Sequence, residues 1–219
     1  MIKLKLQQFA APGSLSALRE ETFDNLQLNC GIFIRDLVYE GTGAPTDADT
    51  LLALIESIIS GANTTSGKLL GATNGGGSFN VSREMRNPEV DGLRYRFKGG
   101  VFVDSADPYI STTLVETTPE NFAIAMGGEI TTTGKLTKVR MKTAIEDETY
   151  LTNLCWVGEL ADGRLVIINL YNALNTADFS FTFKDKGEGN YSVEFHAAQE
   201  NVDDYDYAPF EVVFFGKAA

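Results

Sequence analysis

The sequence predicts one mainly β domain, a sandwich or barrel carrying one or two short helices. Three observations predict it: strand-like alternation recurs along most of the chain, turn residues separate the runs, and only two segments have helical spacing. At 219 residues the chain suits one sizeable core. It holds no internal repeat and no linker long enough to divide it.

The N-terminal stretch MIKLKLQQFAAPGS spaces Leu4, Leu6 and Phe9 almost as a short strand before Pro12-Gly13 breaks it; residues 1–25 read as an arm. Leu26 to Tyr39 (LQLNCGIFIRDLVY) alternates as the first long strand. Residues 39–68 then carry a helix and a polar loop. Leu51, Leu54, Ile55 and Ile58 recur at helical spacing, Thr46 or Asp47 can cap the start, and Gly61 the end. Gly75-Gly76-Gly77 leads into the strand-like Ser78-Phe79-Asn80-Val81. GGVFVDSADPYISTTLVETT reads as two β runs around a corner at Pro108. The second helix follows, with Thr118 as cap, Pro119 in the first helical position where its missing N–H costs nothing, and Gly127-Gly128 as terminator. KLTKVRMKTAI alternates imperfectly. The clearest hairpin is YLTNLCWVGELADGRLVIINLYNAL, whose apolar runs flank Asp162-Gly163. FSFTF and YSVEF form another hairpin around residues 184–190, and PFEVVFF supplies the last strand.

Charge narrows the function. The formal net charge is −12 and the pI near 4.5, and the eighteen basic residues are scattered, with no run longer than two. Phosphate affinity comes from clustered Lys and Arg, so sequence-specific nucleic-acid binding is not expected. No apolar run approaches the roughly 20 residues of a membrane helix, and the N-terminus lacks an apolar core of signal-peptide length. The chain is expected to be made in the cytoplasm. Cys30 and Cys155 are expected to be buried structural thiols, with a disulfide as the alternative.

No catalytic set stands out in the sequence. A phosphate loop needs glycines entering a helix and a following lysine; here they enter a strand, and the nearest lysine, Lys68, precedes them. A bulge or a tight backbone approach is the better account. The lone His196 ends an alternating strand and is expected to be structural or on the surface. No nucleophile elbow accompanies it, and a four-ligand zinc site is out of reach. Asp203, Asp204 and Asp206 suggest calcium, but their spacing is not that of an EF-hand loop, and a solvated loop is expected. No carboxylate pair stands out for glycoside hydrolysis. No cofactor, metal or catalytic residue is assigned, and a non-enzymatic role is expected.

One long stretch remains. GATNGGGSFNVSREMRNPEVDGLRYRFKGG, followed by STTLVETTPENFAIAMGG, resembles the major tail tube proteins of long-tailed bacteriophages of Gram-positive hosts. The resemblance rests on the glycine segment (Gly75, Gly76) entering a strand at Phe79, on Glu84 and Arg86, on Glu89-Val90-Asp91-Gly92, on Lys98-Gly99, and on Leu114 to Asn121. The later hairpins extend it over roughly Leu26 to Gly216; the helix and loop of residues 39–68 are its departure, an insertion placed on the tube's outside. It implies a β-sandwich or barrel with a flanking helix, assembling as hexameric rings that stack into the virion's tail tube. The tape measure protein and other tail proteins would be its partners. DNA would pass through an acidic lumen during genome ejection without specific binding, and no membrane is involved. Lys98 to Gly100 and the loop before Gly71 are expected at subunit or ring contacts. The alternatives are another virion ring or decoration protein, such as a tail terminator or connector, and then a carbohydrate-binding β-sandwich.

Overall fold

The computed structural model describes residues 19–27, 29, 31–63, 65–89, 91–92, 94–201 and 206–217. Residues 1–18 of the expected arm, Cys30, Val90, Asp203 and Asp204 lie outside the described residues. The elements run β1 (Ile32–Arg35), α1 (Ala48–Ile59), β2 (Lys68–Leu69), β3 (Thr73–Arg86), β4 (Phe102–Leu114), α2 (Pro119–Met126), β5 (Gly128–Thr133), β6 (Leu136–Met141), β7 (Leu151–Glu159), β8 (Leu165–Asn175), β9 (Phe181–Thr182), β10 (Asn190–His196) and β11 (Phe210–Phe215). The fold is mainly β with short helices, as the sequence predicts.

All strand pairs are antiparallel, and β8 organises them. Its first half pairs β7 on one side and β11 on the other, and β7 pairs β1, which pairs β2. Beyond Asn172, whose φ is +46, β8 crosses into a second sheet through Leu174 and Asn175, which pair His196 and Phe195 of β10. That sheet continues through β4 to β3, with β9 on β10. One strand thus belongs to both sheets.

The two sheets pack face to face. Phe33, Leu154 and Leu170 of the first meet Ile110, Leu114, Val193 and Phe195 of the second, all buried. Helix α2 closes one end with Ala125, while Phe122 meets Phe179, Phe181 and Tyr191 edge-on at 5.3–5.5 Å. The opposite face of the first sheet is buried too. Ile34, Cys155, Val157, Leu165 and Ile167 pack under Leu51, Ile55 and Ile58 of α1. This is why β7 and β8 read as continuous apolar runs instead of alternating. The 39–68 segment thus contributes Tyr39, Ala48, Leu51, Ile55 and Ile58 to a second core on this face.

Both helix caps fall where the sequence places them. Asp47 accepts from the Thr50 N–H at 2.9 Å, Thr118 accepts from Asn121 N–H at 3.2 Å, and Gly127 ends α2 in the left-handed region. The motif around α2 is a set of backbone locks. Glu116 accepts from the Ala72 N–H at 2.9 Å, Asn121 Nδ2 donates to the Leu70 carbonyl at 2.7 Å, and Tyr191 OH donates to the Glu116 carbonyl at 2.8 Å. Together they fix where β3 begins.

Pro108 corrects another expectation, because β4 runs straight through it. Its carbonyl accepts from the Ala197 N–H at 3.1 Å, so its nitrogen also faces β10, at the point where the β10 ladder ends. The missing N–H costs no bond to β3.

Candidate functional site

The second sheet offers solvent a face of one chemical kind. The register aligns Ser78 with Ser111, Asn80 with Tyr109, Ser82 with Asp107 and Glu84 with Ser105. On the other side of β4, Thr113 aligns with Ser192, Ser111 with Glu194 and Tyr109 with His196. Alternation sends Phe79, Ile110, Val193 and Phe195 inward and leaves this set outward. It carries hydroxyls and amides, three carboxylates (Glu84, Asp107, Glu194) and His196. From Ser78 to Glu84, and across the β4 and β10 residues paired there, it contains no Lys or Arg, in a chain that has eighteen; the first cation along that side of β3 is Arg86, which Asp104 pairs.

Hydrogen bonds knit the face. Ser78 and Ser111 hydroxyls lie 2.9 Å apart, Asn80 Nδ2 donates to Ser78 at 2.9 Å, and Thr113 and Ser192 lie 3.3 Å apart. His196 stacks on Tyr109 with centroids 4.9 Å apart, while its Nδ1 meets Asp107 at 2.7 Å and Nε2 meets Glu194 at 3.0 Å. Burial pulls the imidazole pKa down, but the bonds to Asp107 and Glu194 more than offset it, so the pKa stands above the ordinary value. His196 is expected to titrate above pH 6.5 by NMR, and Asp107→Asn to bring it down. A wild-type titration below 6.5 would sink this assignment.

The structure spreads the motif residues along one hairpin. Gly75 (φ +84) and Gly76 (φ +75) form the bulge at its base, where the register steps from Thr73–Leu114 to Gly77–Thr112. Thr112 Oγ1 donates to the Gly76 carbonyl at 2.7 Å. A Cβ on Gly77 would lie 2.8 Å from the Ser111 carbonyl and 2.9 Å from the Phe33 ring. The bulge and the close approach expected of this triplet thus occur side by side. Phe79 packs on Phe210 with ring centroids 5.3 Å apart.

Farther out, β3 and β4 leave the body as an arm, with residues 82–86 and 102–107 exposed. Glu84 sits at a second register shift, and Arg86 pairs with Asp104 at 3.1 Å while its guanidinium lies 5.7 Å over the Phe102 ring. Glu89, Asp91 and Gly92 occupy the exposed connection, and Lys98 and Gly99 its final turn. The motif residues do not converge on one pocket. Nothing in the sequence marks the tip itself, Arg94-Tyr95-Arg96-Phe97-Lys98, because alternating cations never form a run. Tyr95 is 84% exposed, and Phe97, Val101, Phe102 and Val103 are also exposed.

A cleft of about 610 Å³ opens beside the bulge, between β3 and the inner face of the first sheet, lined by Phe33, Phe79, Ile110, Trp156, Ile168, Gln27 and the glycines. Among the described residues no group of three His, Cys, Asp or Glu side chains could hold a metal ion, and no helix is long and apolar enough to cross a membrane. Asp206, the described member of the acidic cluster, is exposed. Neither a protein-family model nor a curated protein matches the chain.

Proposed function

We propose that this chain is a structural subunit that assembles into stacked hexameric rings, forming the tail tube of a long-tailed bacteriophage, and that the polar face of β3, β4 and β10 lines its conduit. The observation that carries the reading is that face, with its hydroxyls and carboxylates and, from Ser78 to Glu84, its lack of Lys and Arg. A duplex sliding past it meets repulsion for its phosphates and only weak, exchangeable hydrogen bonds. At ~0.15 M salt, screening leaves this effective over about 8 Å, so the lining decides the interaction and the distant outer surface does not.

The sheet edges support assembly. Among the described residues β3 bonds only to β4 and β11 only to β8, so each leaves one side of its backbone open. Such edges are templates for neighbouring strands. A head-to-tail contact closes into a ring when its rotation divides the full turn. The role is structural, in the virion, with tape measure and other tail proteins as partners.

Electron microscopy of the purified protein, before and after concentration, tests the assembly. Hollow tubes of uniform width are expected. Rings that never stack would instead favour a terminator or connector, and a persistent monomer that binds oligosaccharides would favour the sugar-binding reading. Ser82→Lys combined with Ser105→Lys tests the lining. Tubes of this variant are expected to retain short duplex DNA on sedimentation where wild-type tubes release it. Equal release by both would overturn the lining assignment.

A further inference from the structure

We infer that the tip of the β3–β4 arm docks in the cleft of a second copy of the chain, laying Arg94 to Lys98 as an added strand along the open edge of β3. The inference rests on the self-assembly reading and names the contact that would build it.

The tip is the chemical opposite of the rest of the molecule. It places three of the chain's eighteen cations within five residues and has no acid between Leu93 and Val101, in a chain of net charge −12. Its aromatics, Tyr95 and Phe97, alternate with those cations. An extended segment of this pattern sends both rings to one side and the three cations to the other. The cleft is complementary. Its walls are mostly aromatic and apolar, and among the described residues β3 beside it bonds only to β4. Gly75 and Gly76 present no side chain there, and nothing lies within 4 Å of where a Cβ would sit. Gln27 stands on the cleft's rim, and the segment leading to it carries exposed Glu21 and Asp24 beside exposed Arg19, while Glu159 accepts from Asn29 Nδ2 at 3.4 Å.

Main-chain bonds along the edge would supply affinity, and the two rings entering the cleft would supply specificity. The occupant is another copy, because the arm carries its own tip away from its own cleft. From Phe79 to Arg86 a strand advances on the order of 20 Å. The contact is therefore head-to-tail, the kind that generates rings or filaments.

The test uses the full chain. A photo-crosslinking phenylalanine analogue at position 97, in a mixture of isotope-labelled and unlabelled protein, is expected to give intermolecular crosslinks to the Gly75–Phe79 segment or to Trp156. Tyr95→Asp with Phe97→Asp is expected to leave the melting temperature unchanged, since both side chains are exposed, and to raise the concentration needed for assembly at least tenfold. Gln27→Arg, which sets a cation at the rim, is expected to raise it in the same direction. Wild-type assembly with crosslinks elsewhere, or normal assembly by the tip variant, would overturn the docking and leave the self-assembly reading standing. Single-stranded DNA binding lost in the tip variant, with assembly intact, would overturn it in favour of a nucleic-acid contact. A wild-type chain that never assembles would overturn both readings.

Discussion

Leu51→Ala is expected to lower the unfolding free energy by about 2–5 kcal/mol, the range for emptying a filled core position. Leu51 is fully buried on α1, beneath which lie Ile34, Leu37, Cys155, Val157 and Ile167. The helix cannot readily collapse into the gap, because its N-terminus is tied twice. Asp47 caps it, and the Ala48 N–H donates to the Gly216 carbonyl at 2.7 Å, beside the end of β11. Its neighbour Leu52 is 46% exposed, so Leu52→Ala should change stability by less than about 0.5 kcal/mol. Urea unfolding reads both, as a lowered midpoint at unchanged slope for the first and no movement for the second. Equal effects would mean that α1 is not part of the core.

Alkali should destabilise the protein progressively above pH ~8.5. Burial pushes the Cys155 thiol up, with the charges of Glu211 and Asp36 adding to it. Burial raises Tyr39 as well, helped by its hydrogen bond to Glu211, and burial pushes Tyr191 up to about 12. These groups stay protonated in the fold while the unfolded chain loses its protons, the thiol from about pH 8.5 and the phenols from about 10. The native state then binds more protons, and stability falls as pH rises. The fold is unaffected below pH ~8.5. Above it, each group removes at most roughly 1.4 kcal/mol per pH unit until its folded pKa is reached, and solvent screening lowers the two phenol contributions. By pH 12 the loss is at most on the order of 10 kcal/mol, comparable to marginal stabilities of about 5–15 kcal/mol. Cys155→Ala is expected to flatten the decline between pH ~8.5 and ~10, where the thiol is the first of these three groups to titrate. A wild-type protein equally stable at pH 8 and pH 11 would show the three groups to be accessible to water.

Cys155 belongs to a chain of polar groups sunk into the second core. Its thiol donates to Asn169 Oδ1 at 3.2 Å, Asn169 Nδ2 donates to Tyr39 OH at 2.6 Å, and Tyr39 OH donates to Glu211, which also accepts from Tyr171 OH at 2.6 Å. Nothing in the sequence marks these residues as partners. They lie on β7, β8, β11 and the segment after β1, and only the register brings them together.

What could be read in advance was whatever a few consecutive residues decide. Asp47, the Thr118-Pro119 pair and Gly127 marked their helices because capping is local chemistry. Asp162-Gly163 marked its hairpin for the same reason, and Asp162 there accepts from the Arg164 N–H at 3.0 Å. The outer half of β3 was illegible because neither of its faces is buried, so no apolar period exists to detect. Strand β5, GEITTT, failed likewise, with Ile130 its one large apolar residue. Pro108 suggested a corner because its cost depends on where β10 ends, which lies far away in sequence. The polar face and the cleft are assembled across strands, so no window of sequence contains either.

The double membership of β8 also governs the order in which the protein can be made. Ile34 must wait for Cys155, and Ile110 for Phe195, before either sheet is complete. The β3–β4 hairpin pairs neighbouring segments and can close as soon as it leaves the ribosome. Helix α1 has no surface to lie on until β7 and β8 have emerged. A topology of such distant contacts folds slowly, and the interval leaves Leu51, Ile55 and Ile58 facing water. Nascent chains cut short before Leu165 should consequently occupy holdase chaperones, while those extended past Phe215 should release them.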